Sequence, residues 1–359
     1  MQDRFAFAIE YEIGHVTFAG NLRSAVDQDP TVRADWHLLR AVPPEGWQRK
    51  WLGSRNYTLQ MGLRTRAALQ PRHKELDAVL IHTQSIALMC WGLMGNLPIV
   101  ISTDATPRNI DELADAYLHR QGSGLEEEVK QRIVGSMLRR AAGVIPWCEW
   151  AAHSLREDYG VSDDRIDMIR PGILLENWSL AKNRRPGPCR LLFVGGDFYR
   201  KGGGAVLECL QSLTGEWELD IVTKSKIQAG EGIRIHNDLS QGDPRLLDLY
   251  QQADVFVLPS LGDAVPWVVL EAMATGTAVI GAGVGGMPEM IPPEAGIVVP
   301  AGDLRRLHDA MEGLVGNPDL RASMGRAGRR TVEREHDAHR QSRRILDRMR
   351  AVKTSTLVN

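Results

Sequence analysis

The 359-residue sequence is poor in cysteine, in net charge and in long apolar runs. Its four cysteines, Cys90, Cys148, Cys189 and Cys209, stand far apart, without the paired spacing of a zinc site or a redox pair, so we expect reduced core residues. The formal net charge of −2 provides no overall attraction to nucleic acid. Composition therefore points to no nucleic-acid partner.

No segment has the length and apolarity of a membrane span. The longest apolar stretch, 86–101, is interrupted by two glycines, an asparagine and a proline. The opening residues MQDRFAFAIEYEIG carry early charges and do not resemble a secretory signal. We expect a cytoplasmic protein, with peripheral contact to the inner membrane face left open. One basic stretch is either a solvated helix face or a surface for an anionic acceptor or membrane: Arg55, Arg64, Arg66, Arg72 and Lys74.

The length and the 43% apolar and 25% charged residues suit two globular α/β domains. Short apolar runs alternate with amphipathic stretches, among them FAFAIEY, DAVLIH, PIVIST, GVIPW and IDMIRPG, then CRLLFVGG, ADVFVLPS and TAVIGAG. This alternation predicts two doubly wound parallel sheets. Pro171-Gly172 and the polar stretch 182–188 interrupt it, so we predict domains over 1–175 and 176–335, with a helix over 336–359 that packs back on the first domain.

The segment 253–291 is the most informative. A strand ends before a loop that carries Asp263, Pro266 suits the first turn of the next helix, and that helix carries Glu271. Ligands of open α/β sheets bind at the carboxyl ends of strands, and carboxylates there can accept hydrogen bonds from sugar or ribose hydroxyls. Gly285 and Gly286 then permit a close backbone approach to a ligand. The alternative is that Asp263 only begins the helix and Glu271 is solvated.

This segment resembles the donor-site signature of the retaining family-four glycosyltransferases, also called glycosyl transferases group 1. Their GT-B fold consists of two Rossmann-like domains that face each other across a cleft. The resemblance implies that Asp263 faces the transferred sugar, that Glu271 holds the ribose hydroxyls, and that Val268, Gly285 and Gly286 line the donor site. The chain departs from the family in two places, since Asp263 replaces the usual Glu and Ala264-Val265-Pro266 replaces a Gly-Phe-Gly loop.

A second segment, LLFVGGDFYRKGGG, is a strand followed by a glycine turn and a basic pair. Arg200 and Lys201 could neutralise a departing diphosphate without a metal, or could be an ordinary solvated pair. In the family this turn binds the donor phosphates. The resemblance places Gly195, Gly196 and Lys201 there, with Arg200 in place of an Arg that many members have at the position of Gly196.

The stretch 236–239 resembles the part of the family that lies beside the nucleotide base. The resemblance implies base contacts from its backbone, with Asn237 and Leu239 as donor-binding residues. The alternative is an ordinary connection between a strand and a helix.

Four residues of the first domain are candidates for the site. Gly14 and His15 follow the opening strand, where the family has a glycine-rich loop that approaches the donor phosphate or the acceptor. The resemblance implies that Gly14 is a donor-binding residue, and His15 could contact either ligand or be structural. Asp104 ends the strand PIVIST at about the position of a family histidine, and it could orient an acceptor, accept its proton, or only cap the next turn. His82 ends another strand and ranks below Asp104.

The resemblance implies a retaining transfer of a hexose-type sugar from a nucleotide-diphosphate sugar, with no metal and no cofactor, in which Asp104, Asp263, Arg200 and Lys201 carry the catalysis. The acceptor (a glycan, a lipid or a small molecule) and the oligomeric state stay open. One alternative is a GT-B-like nucleotide-sugar epimerase or phosphorylase. The other is a nucleotide-sugar-binding protein with weakened catalysis.

Overall fold

The computed structural model describes residues 2–12, 14–41, 56–117, 124–180 and 187–356. Arg55 and residues 182–186 of the predicted connection lie outside these ranges. The chain divides into two compact units. Unit 1 comprises Met1–Glu112, Arg120–Gly172 and Ala338–Asn359, and unit 2 comprises Leu113–His119 and Ile173–Asp337. The division after Gly172 falls beside the predicted boundary at residue 175.

Unit 1 is built on a parallel five-stranded sheet with the strand order β2-β1-β3-β4-β5. Its strands are β1 (Asp3–Glu10), β2 (Val32–Leu39), β3 (Ala78–His82), β4 (Ile99–Thr103) and β5 (Gly143–Pro146). The central strands β3 and β4 are buried at every position, because helices cover both faces of the sheet. In register, Phe7 of β1 lies between Trp36 and Leu80.

One strand prediction for unit 1 was wrong, and one strand of unit 1 was not predicted. The run IDMIRPG forms no strand, since Ile166 makes only one bridge to Val144 and Pro171 has no N–H to donate. The edge strand β2 was missed because its middle residues are half-buried and carry polar side chains, which hides an apolar run.

The helices over residues 15–157 follow the strands in turn. They are α1 (His15–Val26), α2 (Tyr57–Leu69), α3 (Gln84–Ala87), α4 (Pro107–Glu112), α5 (Ala114–Tyr117), α6 (Gly124–Arg140) and α7 (Glu149–Glu157). All except α5 belong to unit 1. Met61 of α2 and Met137 of α6 are fully buried in one core cluster with Ile81 and Ile101 of the sheet.

Unit 2 has a parallel six-stranded sheet with the order β11-β10-β9-β6-β7-β8. Its strands are β6 (Cys189–Val194), β7 (Trp217–Val222), β8 (Ile233–His236), β9 (Val255–Leu258), β10 (Ala278–Ala282) and β11 (Gly296–Val299). Because β10, β9 and β6 are neighbours, the loops that follow their carboxyl ends leave the sheet side by side.

The helices of unit 2 alternate with these strands, as the apolar runs predict. They are α8 (Gly203–Leu210), α9 (Pro244–Gln252), α10 (Trp267–Ala274), α11 (Met287–Met290), α12 (Leu304–Val315) and α13 (Pro318–Glu335). Pro266 is the extended residue before α10 (φ −74°, ψ 117°) and not part of its first turn, which corrects that prediction.

The last helix, α14 (Ala338–Thr356), belongs to unit 1 and packs against α1. Arg350 donates to Asp3 over 2.9 Å and Lys353 donates to the same carboxylate over 3.0 Å, which ties α14 to the start of β1. All four cysteines are buried and none forms a disulfide, as predicted. No helix within the described ranges combines the length and the apolarity that a membrane crossing needs.

Candidate functional site

Three loops meet at the carboxyl edge of the unit 2 sheet, and two glycines let them pack together. A Cβ on Gly202 (φ 81°) would lie 2.1 Å from the carbonyl oxygen of Pro259, and a Cβ on Gly285 (φ 54°) would lie 2.1 Å from that of Asp263. The amide of Gly286 donates to the carbonyl of Ala264 over 2.8 Å. Gly285 is therefore required by a close approach of two protein backbones, a reason that differs from the predicted approach to a ligand.

Lys201 and Asp263 form an ion pair at this meeting point. The ammonium Nζ of Lys201 lies 2.6 Å from Oδ1 of Asp263 and also contacts Oδ2, and the two side chains are only 14% and 9% exposed. Gly195 gives the alkyl chain of Lys201 room, since a Cβ there would lie 3.0 Å from it. The family resemblance implies different ligands for these two residues, the donor phosphates for Lys201 and the transferred sugar for Asp263. In this structure the two residues bind each other.

Arg200 lies beside this pair. Its Nη1 donates to the carbonyl of Gly262 over 2.6 Å, and its guanidinium lies 4.7 Å from the ring centroid of Tyr117 on α5. With 20% of its side chain exposed, Arg200 is not the solvated residue of the alternative interpretation. Gly196 lies in the same turn with no heavy atom within 4 Å of where its Cβ would be.

Glu271 lies inside α10 and is only 5% exposed, so the alternative of a solvated carboxylate is wrong. One of its oxygens accepts a hydrogen bond from the hydroxyl of Tyr250 over 2.8 Å. Burial raises the pKa of Glu271 to about 7, although the hydrogen bond from Tyr250 lowers it. Val268 precedes it by three positions on the same helix face. Nothing in the sequence pattern indicated Tyr250, which is one of the buried residues of α9.

The segment predicted to lie beside the base is held by Lys224, another residue that the sequence did not indicate. The ammonium of Lys224 donates to the carbonyls of Leu239 and Asn237 over 2.9 and 3.3 Å. The side-chain amide of Asn237 donates to the carbonyl of Thr223 over 2.9 Å. The carbonyl of Gly196 accepts from the amide of Lys224 over 3.3 Å, so this segment and the glycine turn share one support.

A second group of polar side chains lies at the carboxyl edge of the unit 1 sheet, and we call it the imidazole–carboxylate cluster: Glu10, His15, His82 and Asp104. His15, next to the N-cap Gly14 of α1, lies between the two acids. Its Nε2 is 3.8 Å from Asp104 and its Nδ1 is 4.0 Å from Glu10. The ring of His82 meets that of His15 edge-on, with centroids 4.6 Å apart.

The two imidazoles of this cluster are in opposite electrostatic situations. Burial lowers the pKa of His15, but Asp104 and Glu10 outweigh this effect and the net shift is upward. His82 is fully buried, and its pKa lies well below the usual value because of that burial and of the neighbouring His15. Its Nδ1 lies 3.1 Å from the carbonyl oxygen of Ser102, and its Nε2 is buried without a hydrogen-bond partner.

Both oxygens of Glu10 have further partners. The hydroxyls of Tyr57 and Thr83 donate to them over 2.5 and 2.6 Å. Glu10 was absent from the sequence prediction, although it stands at the carboxyl end of a buried strand, which is the signal that could have found it. Within the ranges the structure describes, no group of three or more histidine, cysteine, aspartate or glutamate side chains could hold a metal ion.

Three arginines of the basic stretch, which is either a solvated helix face or a surface for an anionic acceptor or membrane, make contacts within unit 1. Arg72 pairs with Asp35 over 2.8 Å, and Arg64 donates to the carbonyl of Arg40 over 2.6 Å. Arg66 reaches Gln70 over 3.3 Å.

Two parallel, doubly wound α/β units define a protein of the GT-B fold, and solved structures agree. Sucrose-phosphate synthase of Thermosynechococcus elongatus superposes with a TM-score of 0.77, at 18% identity, over 99% of this chain and all of that one. HepE of Anabaena, solved in complex with UDP-glucose, superposes with a TM-score of 0.71, at 12% identity, over 98% of this chain and all of that one.

The sequence comparisons identify the family. Residues 25–177 match the family described as Glycosyltransferase Family 4, and residues 171–317 match Glycosyl transferases group 1. The chain belongs to these group 1, family-four glycosyltransferases. A D-inositol 3-phosphate glycosyltransferase of Pseudarthrobacter chlorophenolicus is 28% identical over 232 residues, which are 57% of this chain and 55% of that protein. The chain thus spans about half the length of this curated relative.

Proposed function

We propose that the protein transfers a hexose from a nucleoside-diphosphate sugar to an acceptor hydroxyl, with retention of anomeric configuration and without a metal. The observation that carries the proposal is the convergence of Lys201, Asp263 and the Gly285-Gly286 turn on one edge of the unit 2 sheet. Family membership and the UDP-glucose complex of HepE, a protein of the same fold, support a nucleotide sugar as the donor.

In the proposed reaction, the bond between the anomeric carbon and the β-phosphate oxygen breaks, and the nucleoside diphosphate leaves. The acceptor oxygen forms its bond to the anomeric carbon on the same face, and its proton passes to the departing phosphate. Lys201 and Arg200 would stabilise the growing phosphate charge. Asp263 would position the sugar, and Asp104 would orient the acceptor.

The pairing of Lys201 with Asp263 adds a condition to this mechanism. In the described arrangement the lysine charge is already compensated by the carboxylate. A bound diphosphate would therefore compete with Asp263 for Lys201, or would join both in a shared network. Either way, Asp263 sets how much of the lysine charge the donor can use.

Glu271 and Val268 would contact the ribose side of the donor, beside the base-binding segment at Asn237 and Leu239. An ionised Glu271 can accept hydrogen bonds from two hydroxyls. In the protonated form, one of its oxygens carries the proton and acts as a donor instead. Donor binding should therefore depend on the ionisation of this buried group.

The deciding experiment combines thermal stabilisation with a measurement of UDP release. A ligand that binds only the folded protein raises its Tm, so UDP and UDP-glucose should each do so, in the presence of EDTA as well as Mg²⁺. UDP-glucose is then incubated with pools of glycan, polyol and lipid acceptors. We expect acceptor-dependent UDP release and an α-linked product, whose anomeric proton coupling in the NMR spectrum reports retention.

The same experiment separates the two alternatives. Release of UDP with a free altered sugar from donor alone would indicate an epimerase, and the proposal would then be wrong. Stabilisation by UDP without release over the whole panel would indicate a binding protein. The proposed setting is the cytoplasm, with peripheral contact to the membrane if a lipid acceptor is found.

A further inference from the structure

His15 lies between two carboxylates that come from different strands. Glu10 is the last residue of β1 and Asp104 follows β4, and the imidazole nitrogens lie 4.0 and 3.8 Å from them. His15 also begins α1, and a positive charge at a helix N-terminus is disfavoured by the helix dipole. Protonation of His15 is therefore disfavoured by the helix dipole and favoured by the two carboxylates.

Every titratable group that faces His15 belongs to a different element. Glu10 comes from β1, His82 from β3 and Asp104 from the end of β4, while Tyr57 of α2 reaches the cluster through Glu10. His82 is fully buried, and this burial holds its pKa well below the usual value, so its neutral form is favoured. In this arrangement His15 is the group that balances the two acids.

Of the two carboxylates in the cluster, Asp104 is the more accessible to a ligand. Its side chain is 25% exposed, compared with 12% for Glu10, and both oxygens of Glu10 already accept hydrogen bonds from Tyr57 and Thr83. Burial alone would raise the pKa of Asp104, but the neighbouring His15 lowers it. The carboxylate that can accept a hydrogen bond from a substrate is thus the one that His15 supports.

We propose that protonated His15 is a positioning residue for the transfer: it holds the Asp104 carboxylate ionised and in place, so that Asp104 accepts a hydrogen bond from the acceptor hydroxyl. This inference rests on the proposed function. It assigns His15 no contact with the donor. Deprotonation of His15 would leave Asp104 without its counter-charge, so acceptor use should fall as the pH rises through the pKa of His15.

The first test needs no substrate. In the full-length protein labelled with ¹³C at histidine Cε1, each histidine is titrated by NMR, and the signal of His15 is assigned by its loss in His15→Asn. We expect the pKa of His15 to lie above the usual 6.5 and to fall in Asp104→Asn. Glu10→Gln should lower it less, because Tyr57 and Thr83 share that carboxylate. An unchanged pKa of His15 in Asp104→Asn would overturn the proposal.

The second test uses the acceptor that the UDP-release screen identifies, with UDP-glucose at saturation. His15→Asn, with a residue that helix N-termini favour, should lower kcat/KM for the acceptor about 10- to 100-fold and leave the KM for UDP-glucose unchanged. The loss of rate at high pH should disappear in this variant. His15→Lys, which keeps the positive charge, should restore part of the activity. A KM for UDP-glucose that rises by the same factor would contradict the positioning role. A pH profile of kcat/KM that is the same as in the parent would contradict it as well.

The two tests separate failure of this inference from failure of the proposed function. A parent protein that shows no transfer would refute the proposed function, and with it the role of His15 in acceptor use. A parent that transfers sugar with the His15 variants unaffected would refute the role of His15 alone.

Discussion

The charged side chains at the carboxyl edges of the two sheets are arranged differently. In unit 2, the cations Arg200 and Lys201 reach from one loop to Gly262 and Asp263 of the next, and glycine lets the backbones of the loops touch. In unit 1, short side chains at the ends of three strands and at the start of a helix meet within one small cluster. Long, charged side chains over glycine turns suit a large diphosphate, whereas a compact cluster suits a single hydroxyl.

This difference also decides what the proposal assigns to each unit. Unit 2 would bind the donor and compensate the leaving charge. Unit 1 would present the acceptor through Asp104. Variants at one edge should therefore change donor parameters, and variants at the other edge should change acceptor parameters.

The largest effect is expected at Lys201. Lys201→Met removes the cation that is proposed to stabilise the departing diphosphate, and it leaves the Asp263 carboxylate without its ion-pair partner. We expect kcat/KM for UDP-glucose to fall about 10²- to 10³-fold. Steady-state UDP release measures this, and Lys130→Met, which removes an exposed lysine paired with Glu127, is the control that should keep parental activity.

A double variant separates lost catalysis from a damaged fold. In Lys201→Met/Asp263→Asn no unpaired charge is left, so the Tm should recover toward that of the parent while activity stays low. Parental kcat/KM in both variants would show that this ion pair takes no part in donor use.

The next effect is structural and is expected at Gly285. Gly285→Ala places a Cβ 2.1 Å from the carbonyl oxygen of Asp263, at a φ of 54°. We expect the free energy of unfolding to fall by about 2 to 4 kcal/mol. Gly283→Ala is a matched control, since its nearest atom would be at an ordinary 3.6 Å. Equal unfolding midpoints in urea for the two variants would contradict the close packing of the two loops.

A smaller effect is expected from the pH dependence of donor binding. Because the pKa of Glu271 is about 7, the folded protein holds a proton there that the unfolded chain releases near the usual value of 4.5. Because of Glu271, the free energy of unfolding should therefore decrease as the pH rises from about 4.5 to about 7. The affinity for UDP should increase over the upper part of this range, because the ionised carboxylate accepts hydrogen bonds from the ribose.

Tyr250→Phe sharpens this prediction. The hydroxyl of Tyr250 lowers the pKa of Glu271, so its removal should shift the pH dependence of UDP binding upward and weaken binding at pH 7 about tenfold. Calorimetry across pH measures both. Tyr159→Phe, at a tyrosine that is buried in unit 1, is the control. An affinity for UDP that does not vary between pH 6 and 8 would exclude the assigned role of Glu271.

The smallest effect is expected at Arg350 of α14, which pairs with Asp3 at the start of β1. Arg350→Met should lower the free energy of unfolding by about 1 kcal/mol, because Arg350 binds Asp3 and Asp29 at the surface of unit 1. Ion pairs and hydrogen bonds lower the pKa of both carboxylates. The difference from the parent should therefore be present above pH 4 and vanish as the pH falls below it. Arg343→Met on the same helix should have no such effect.

The carboxyl edge of the unit 2 sheet could be predicted further than that of the unit 1 sheet, for a physical reason. The sequence marks Lys201, Asp263 and Gly285 because each lies in a short strand-to-helix connection with its own glycine or charge pattern. The partners could not be predicted, since Lys201 and Asp263 stand 62 positions apart and Glu271 and Tyr250 stand 21 apart. Only the strand order brings such residues together.

At the carboxyl edge of the unit 1 sheet, the sequence indicated His15, His82 and Asp104 one at a time. It did not indicate Glu10. Each of these residues has an ordinary structural explanation when taken alone. Their meeting depends on β1, β3 and β4 being adjacent in the sheet, which the alternation of apolar runs does not determine.

Hydrogen–deuterium exchange with saturating UDP tests most directly whether the donor binds at the unit 2 edge. We predict the strongest slowing of exchange in peptides that cover 195–203, 259–265 and 283–287, and a weaker response in the peptide that contains Asp104. Saturating binding of UDP that leaves the exchange of those three unit 2 segments unchanged would contradict the account.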